Sequence, residues 1–218
     1  MKNIIIFGNS QYAKLITEYL SESYNIVAYC VHQAYIEDKF FLGKPLVAFE
    51  NISTQFSPLD YEMFIALGYT QINSLRAKVC AEAKQKGYRL ISYVHPSSII
   101  SSNVTIGENC FIFENSVVQP FSTIGNDVTI WASSTICHDC EIADDVFIAS
   151  NVCINGNVKI GRAAFIGAGA VVRNNLSISE ETLIGAGCVI LEDTMPKEVY
   201  KSSKNIKLEV LSKNVSLT

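Results

Sequence analysis

Cys137-His138-Asp139-Cys140 sets an imidazole and a carboxylate side by side between two thiols. Three chemistries use such residues: a metal site, a thiol redox pair, and a general base tuned by its carboxylate neighbour. A C-x-x-C alone does not choose among them, because its meaning depends on where each side chain points. The elements that carry the four residues decide.

From Ile100 to Ile190 an aliphatic residue returns every six positions, sixteen times in succession, and fourteen of these are Ile. Neither an α-helix nor an alternating strand keeps a period of six over such a length, so the repeat is architectural. The fourth residue after each hit is small or compact as well, from Val104, Cys110, Ser116 and Ser122 to Ala164, Ala170, Leu176, Thr182 and Cys188. Both positions are expected to face inward. The pattern resembles the hexapeptide repeat of the left-handed parallel β-helix over residues 98–191. That resemblance implies one short strand and one turn per unit and three units per triangular coil of about 18 residues. Gly107, Gly125, Gly161, Gly167 and Gly185 are expected at its tight corners.

In this register Ile136 and Cys140 point inward and Cys137 takes a corner, so the two sulfurs diverge, and zinc would need further ligands nearby. His138 and Asp139 fall on the outer side of a turn. One coil on stands Gly156, expected to leave open space over the ring. An exposed imidazole oriented by a carboxylate, with an intrinsic pKa of about 6.5, suits general-base work. The plain alternative is an ordinary surface histidine. The other two histidines, His32 and His95, lie outside the repeat, which argues against a three-histidine zinc site. The last residue of each unit should face outward, and one such column reads Phe111, Thr129, Phe147, Phe165, Leu183. So apolar a stripe is expected to pack against a neighbour or to line a cofactor groove.

Residues 1–94 follow another pattern. An apolar run, Ile4 to Phe7, ends in Gly8-Asn9-Ser10 and is followed by Tyr12, Leu15, Ile16, Tyr19 and Leu20 at helical spacing. Strands are predicted at Ile26–Cys30, Met63–Leu67 and Leu90–Val94, a helix over about Gln71–Gln85, and an irregular stretch through Gly43-Lys44-Pro45. Alternating strands and helices indicate a small Rossmann-like parallel α/β sheet. Ligands bind at the carboxyl ends of such strands, so Gly8-Asn9-Ser10 and Gly68-Tyr69-Thr70 are the expected pocket edges. The dinucleotide fingerprint is absent: Gln11 and Ala13 stand where glycines would, and Val31-His32 ends the second strand without an acid for a ribose. A turn that serves only the fold is the alternative. Beyond Leu191, in 192–218, Met195-Pro196 through Ser203 should cap the last coil before a polar tail with Lys201, Lys204 and Lys207.

The 218 residues are 49% hydrophobic, enough for one large or two modest cores. A net charge of -4 with scattered cations gives no footprint for nucleic acid or an anionic membrane. No apolar stretch approaches a membrane span and the apolar run in the first ten residues is too short for the core of a secretory segment, so a cytoplasmic protein is expected. Seven cysteines without a dense framework read as reduced, buried thiols.

The whole chain is similar to one family, the NeuD-like hexapeptide sugar acyltransferases, which include sialic acid O-acetyltransferases and nucleotide-aminosugar N-acetyltransferases. Gly8-Asn9-Ser10, Ile65-Ala66-Leu67-Gly68, His95-Pro96-Ser97 and the stretch His138 to Gly161 carry the likeness, over about residues 3–191. The resemblance implies an α/β domain (1–94) that holds a nucleotide-linked amino sugar at Gly8, Asn9, Ser10, Gly68 and Tyr69. It implies a β-helix (95–191) with His138 as catalytic base and Asp139 tuning it. Acetyl-CoA, the acyl donor, is implied at Phe147, Gly156, Ala168 and Ala186, with no metal, in a homotrimer whose sites lie between subunits. N-acetylation of a nucleotide amino sugar is the expected activity. Acetylation of a sugar hydroxyl, and a noncatalytic nucleotide-sugar-binding trimer, are the alternatives.

Overall fold

The computed structural model describes residues 1–203. Lys204, Lys207 and the rest of the expected tail lie outside the described residues.

The N-terminal part contains β1 (Lys2–Phe7), α1 (Gln11–Leu20), β2 (Tyr24–Val31), β3 (Phe40–Phe41), β4 (Lys44–Ala48), α2 (Ile52–Gln55), β5 (Glu62–Ile65) and α3 (Ser74–Gln85). Its sheet runs β3-β4-β2-β1-β5, parallel except for the hairpin of β3 with β4. From Ile4 to Phe7 β1 is apolar without a break because both faces are covered there. Ile4 and Ile6 meet Ile16 and Leu20 of α1, while Ile5 and Phe7 meet Val79 and Ala83 of α3. The stretch expected to be irregular is the β3–β4 hairpin, with Pro45 tolerated because its strand pairs near the sheet margin.

The strand expected at Leu90–Val94 is divided between two partners. Leu90 bridges to Met63 in the α/β sheet, whereas Tyr93–Val94 pairs with Phe111–Ile112 in the repeat. One short run thereby stitches the two parts together.

From Ile99 to Ile190 sixteen two-residue strands stack in three parallel sheets, each residue paired with the one 18 positions on, as in Val117↔Thr135 and Thr135↔Cys153. The first face carries Ile99, Val117, Thr135, Cys153, Val171 and Val189; the second Thr105, Thr123, Glu141, Lys159 and Ser177; the third Phe111, Thr129, Phe147, Phe165 and Leu183. The periodic aliphatics from Ile112 to Ile190 are 0–3% exposed and form one core. Each contributes on the order of 1.5–3 kcal/mol by leaving water.

The corner glycines act otherwise than expected. Left-handed backbone recurs every sixth residue from Asn109 to Gly187, most often at Asn or Asp, which tolerate it, but also at Phe121, Ser133, Ala163 and Glu181. The glycines expected at the corners sit two residues before that series, where the next coil comes too close for a side chain. A Cβ at Gly161 or Gly167 would lie 2.5 Å from a backbone nitrogen of the next coil.

At the C-terminal end Val199–Tyr200 adds a strand beside Leu183–Ile184, and the Thr194 hydroxyl accepts from the Ser179 N–H at 2.8 Å. The last coil is capped in this way, as a solenoid end requires.

The phenylalanine stripe does not await another subunit. Tyr93 stacks on Phe111 at 4.8 Å, Phe64 meets the same ring, and Tyr69 lies edge-on to Phe147 and tilted over Phe165, at 5.0 Å each. The chain's own α/β layer covers the third face. Beneath this seam, Arg76 of α3 is 1% exposed, its Nε donating to Asp127 Oδ1 at 2.9 Å and its Nη2 to the Asp127 carbonyl at 2.8 Å. Asn109 donates to the same carboxylate. Burial raises the Asp127 carboxyl to about 6, against the lowering influence of Arg76 and the Asn109 amide.

Candidate active site

The histidine corner joins the first face to the second. The strand Thr135–Ile136 ends there and Glu141–Ile142 begins, so inward Ile136 and Cys140 throw His138 and Asp139 outward. Asp139 sits at φ +58°, a conformation the corner demands and Asp accepts. From it the carboxylate Oδ2 reaches His138 Nδ1 at 2.7 Å, and the backbone N–H of His138 donates to Gln119 Oε1 at 3.1 Å. The pair is exposed to solvent.

Gly156 stands one coil above, as the 18-residue offset places it, but it leaves no open space. A Cβ there would lie 2.6 Å from both Cε1 and Nε2 of His138. The glycine makes room for the imidazole itself, so its absent side chain fixes where the ring rests.

The sulfurs diverge: Cys140 is fully buried in the core and Cys137 lies at the corner. Burial pushes the Cys140 thiol up to about 11 and raises Cys137 too, so neither is an activated thiolate. Among the described residues no group of three or more His, Cys, Asp or Glu side chains could hold a metal ion.

A second site lies in the α/β layer. Gly8 ends β1 at φ +134°, and a Cβ there would stand 2.8 Å from the Ala66 carbonyl, so only glycine fits. Asn9 Nδ2 donates to the Tyr35 carbonyl at 3.3 Å, and Ser10 caps α1 by accepting from the Ala13 N–H. These residues open a cavity of about 370 Å³ walled by Val31, Leu67, Leu75 and Val79, with His32 and Lys78 as its basic lining and Tyr35 beside them. The size suits a small-molecule site. His32 is held edge-on between Phe7 and Phe49, and its Nδ1 lies 3.1 Å from Glu50. An acid does therefore reach the end of β2, from a distant segment. Against a desolvation that raises it, backbone N–H groups of Glu50 and Gln33 and the His32 ring hold the Glu50 carboxyl below its usual value.

The remaining expected residues divide. Gly68 and Tyr69 do not line the Gly8 cavity: the Gly68 carbonyl lies 3.5 Å from Arg76 Nη1, and Tyr69 leans over Phe147 and Phe165. Phe147, expected beside the cofactor, is 3% exposed and packed in the seam below Tyr69, with Arg76 over its ring at 6.0 Å. There it packs between the two layers. Ala168 and Ala186 are exposed at the corner between third and first faces, one coil apart. Sequence reasoning passed over Arg76; the signal was an arginine on the stripe that Val79, Cys80 and Ala83 bury.

The six-repeat model of the bacterial transferase hexapeptide family matches residues 121–156 and 139–174. Both spans include His138 or its following coil. A GDP-perosamine N-acetyltransferase from Caulobacter crescentus, a histidine mutant in complex with CoA and GDP-perosamine, is similar at 25% identity over 91% of this chain and 93% of that chain, TM-score 0.82. The chain carries the hexapeptide repeat of bacterial transferases and is an acyltransferase. A second neighbour of this acyltransferase is the acetyltransferase domain of PglB from Neisseria gonorrhoeae in complex with acetyl coenzyme A. The two share 23% identity over 91% and 95% of the chains, with a TM-score of 0.81, a likeness of fold. An α/β layer on a left-handed parallel β-helix is the architecture of the acyltransferase. No curated protein sequence matches the chain. Among its described residues no helix is long and apolar enough to cross a membrane.

Proposed function

We propose that this acyltransferase moves the acetyl group of acetyl-CoA to the amine of a nucleotide-linked sugar, with His138 as general base, in the cytoplasm. The observation that carries the reading is the His138 ring, fixed by Asp139 at 2.7 Å and by the missing side chain of Gly156. The Caulobacter neighbour, named for N-acetyl transfer to GDP-perosamine and holding CoA, supports both substrates.

The neutral amine attacks the thioester carbonyl carbon. A C–N bond forms and the C–S bond breaks; His138 Nε2 takes the proton from nitrogen and passes it to the departing sulfur, so that CoA leaves as the thiol. The Asp139 carboxylate accepts from Nδ1–H, which leaves Nε2 with its lone pair toward the substrate and stabilises the imidazolium that forms. A backbone N–H of the coil at Gly156 is the assigned oxyanion donor. The base adds a factor of roughly 10²–10⁴, positioning the rest.

One copy does not complete the site. The Gly8 cavity lies in the layer over the third face, and His138 stands at the opposite corner, between the first and second. The first face is apolar but for Thr135 and bears no covering layer among the described residues, with Ile99 68% and Val189 62% exposed. Packing three such faces around an axis would bring the His138 corner of one copy to the Ala168 and Ala186 corner of the next. That corner adjoins the face over which the next copy's α/β layer lies. The proposal is a homotrimer with acetyl-CoA in the groove between copies and the nucleotide held by Gly8, Asn9 and Ser10. Light scattering that returned a monomer with full turnover would overturn the shared site.

A further inference from the structure

Glu82 of α3 lies near two donors that line the cavity at Gly8. Its Oε2 lies 3.6 Å from His32 Nε2 at the end of β2, and its Oε1 lies 3.9 Å from Lys78 Nζ one turn earlier on α3. Both distances are long for charge-assisted contacts, which run at about 2.7–2.9 Å. His32 is meanwhile held from its other nitrogen by Glu50 and by the Phe7 and Phe49 rings. Lys78 and His32 both line the cavity, and no carboxylate does. Apart from Asn9 and Ser10, the rest of the wall is aliphatic, aromatic or glycine, suited to a flat heterocycle and not to charge.

We infer that Lys78 and His32 form a clamp for the diphosphate of a nucleoside diphosphate, held ready by Glu82. This rests on the proposed nucleotide-linked acceptor and assigns the residues that grip it. Bound diphosphate displaces Glu82 as the partner of both donors, so Glu82 competes with the substrate. Lys78 projects into solvent, 72% exposed, and is free to swing inward. Lysine serves here as a compact point charge with rotatable donors. The clamp makes a prediction of sign that a merely structural ion pair does not: deleting the Lys78 charge weakens binding, while deleting the Glu82 charge strengthens it.

The test is calorimetric titration of the full chain with UDP, GDP, dTDP and CDP, and separately with CoA, which also carries a diphosphate. For the nucleoside diphosphate that binds, Lys78→Gln should lose roughly 10-fold or more in affinity, and Lys78→Arg should restore most of it. Glu82→Gln should gain severalfold. CoA affinity should stay unchanged in all three, and in turnover Lys78→Gln should raise KM for the acceptor with kcat within about twofold. If wild type binds a nucleoside diphosphate and Lys78→Gln binds it equally well, or Glu82→Gln binds it more weakly, the clamp is wrong and the acceptor stands. Loss of CoA affinity in Lys78→Gln without loss for the nucleoside diphosphate would also overturn it. Should wild type bind none of the four nucleotides while still binding CoA, the nucleotide-linked acceptor falls, and the clamp with it.

Discussion

Two pairs of a basic side chain and a carboxylate mark this molecule, and burial gives them opposite work. His138 and Asp139 are 61% and 53% exposed at a corner of the solenoid, while Arg76 and Asp127 are 2% and 3% exposed in the seam between the layers. The exposed pair contributes little to stability, because water screens it, but its ring is reachable by substrate. The buried pair is out of reach of any ligand, and its removal leaves a charge stranded in a low-dielectric interior. Exposure frees a pair for chemistry; burial commits it to holding the layers together.

The largest effect should come from breaking the buried pair. Arg76→Ala leaves Asp127 with an unanswered charge and should cost about 3–5 kcal/mol in urea unfolding. A stability within 1 kcal/mol of wild type would erase the contrast. Gly156→Ala attacks the exposed pair through its ceiling, since a Cβ at 2.6 Å must push the imidazole aside. We expect kcat to fall by roughly 10²-fold, because displacing a reacting group by about 1 Å costs that much, with the unfolding midpoint barely moved. Asp139→Asn keeps a residue that accepts the left-handed corner and removes only the charge, so a smaller loss in kcat, on the order of 10-fold, should follow without loss of stability. The mildest effect is on pH dependence. Because burial raises the folded Asp127 carboxyl from 3.8 to about 6, its contribution to stability is full below the lower value and lost as pH rises through the upper one. Asp127→Asn should flatten that part of the stability profile, measured by thermal unfolding at a series of pH values.

The solenoid was legible because each residue's direction depends only on its place in a six-residue period. That register alone turned Cys140 inward, set His138 outward and put Gly156 above it. It did not say whether Gly156 made a gap or a seat, since that depends on how closely two coils approach. The α/β layer was legible in β1, α1, β2 and α3, whose apolar patterns are local. It was not legible at the β3–β4 hairpin, nor at Leu90–Val94, where partners far along the chain decide the pairing. The phenylalanine column showed the same limit. Period six marked Phe111, Phe147 and Phe165 as outward and apolar, but only the folded chain shows that Tyr93, Phe64 and Tyr69 cover them. Glu50 reaches His32 across the sheet for the same reason.

The central claim is that an exposed imidazole, seated under Gly156 and oriented by Asp139, takes the proton during acetyl transfer. The most direct measurement is acetyl transfer from acetyl-CoA to a panel of nucleotide-linked 3-amino and 4-amino sugars, read by mass spectrometry, with wild type beside His138→Ala. One acceptor gaining a single acetyl group, with kcat reduced by roughly 10²–10⁴-fold in the variant at unchanged stability, is the predicted result. Turnover by His138→Ala close to that of wild type would contradict the account.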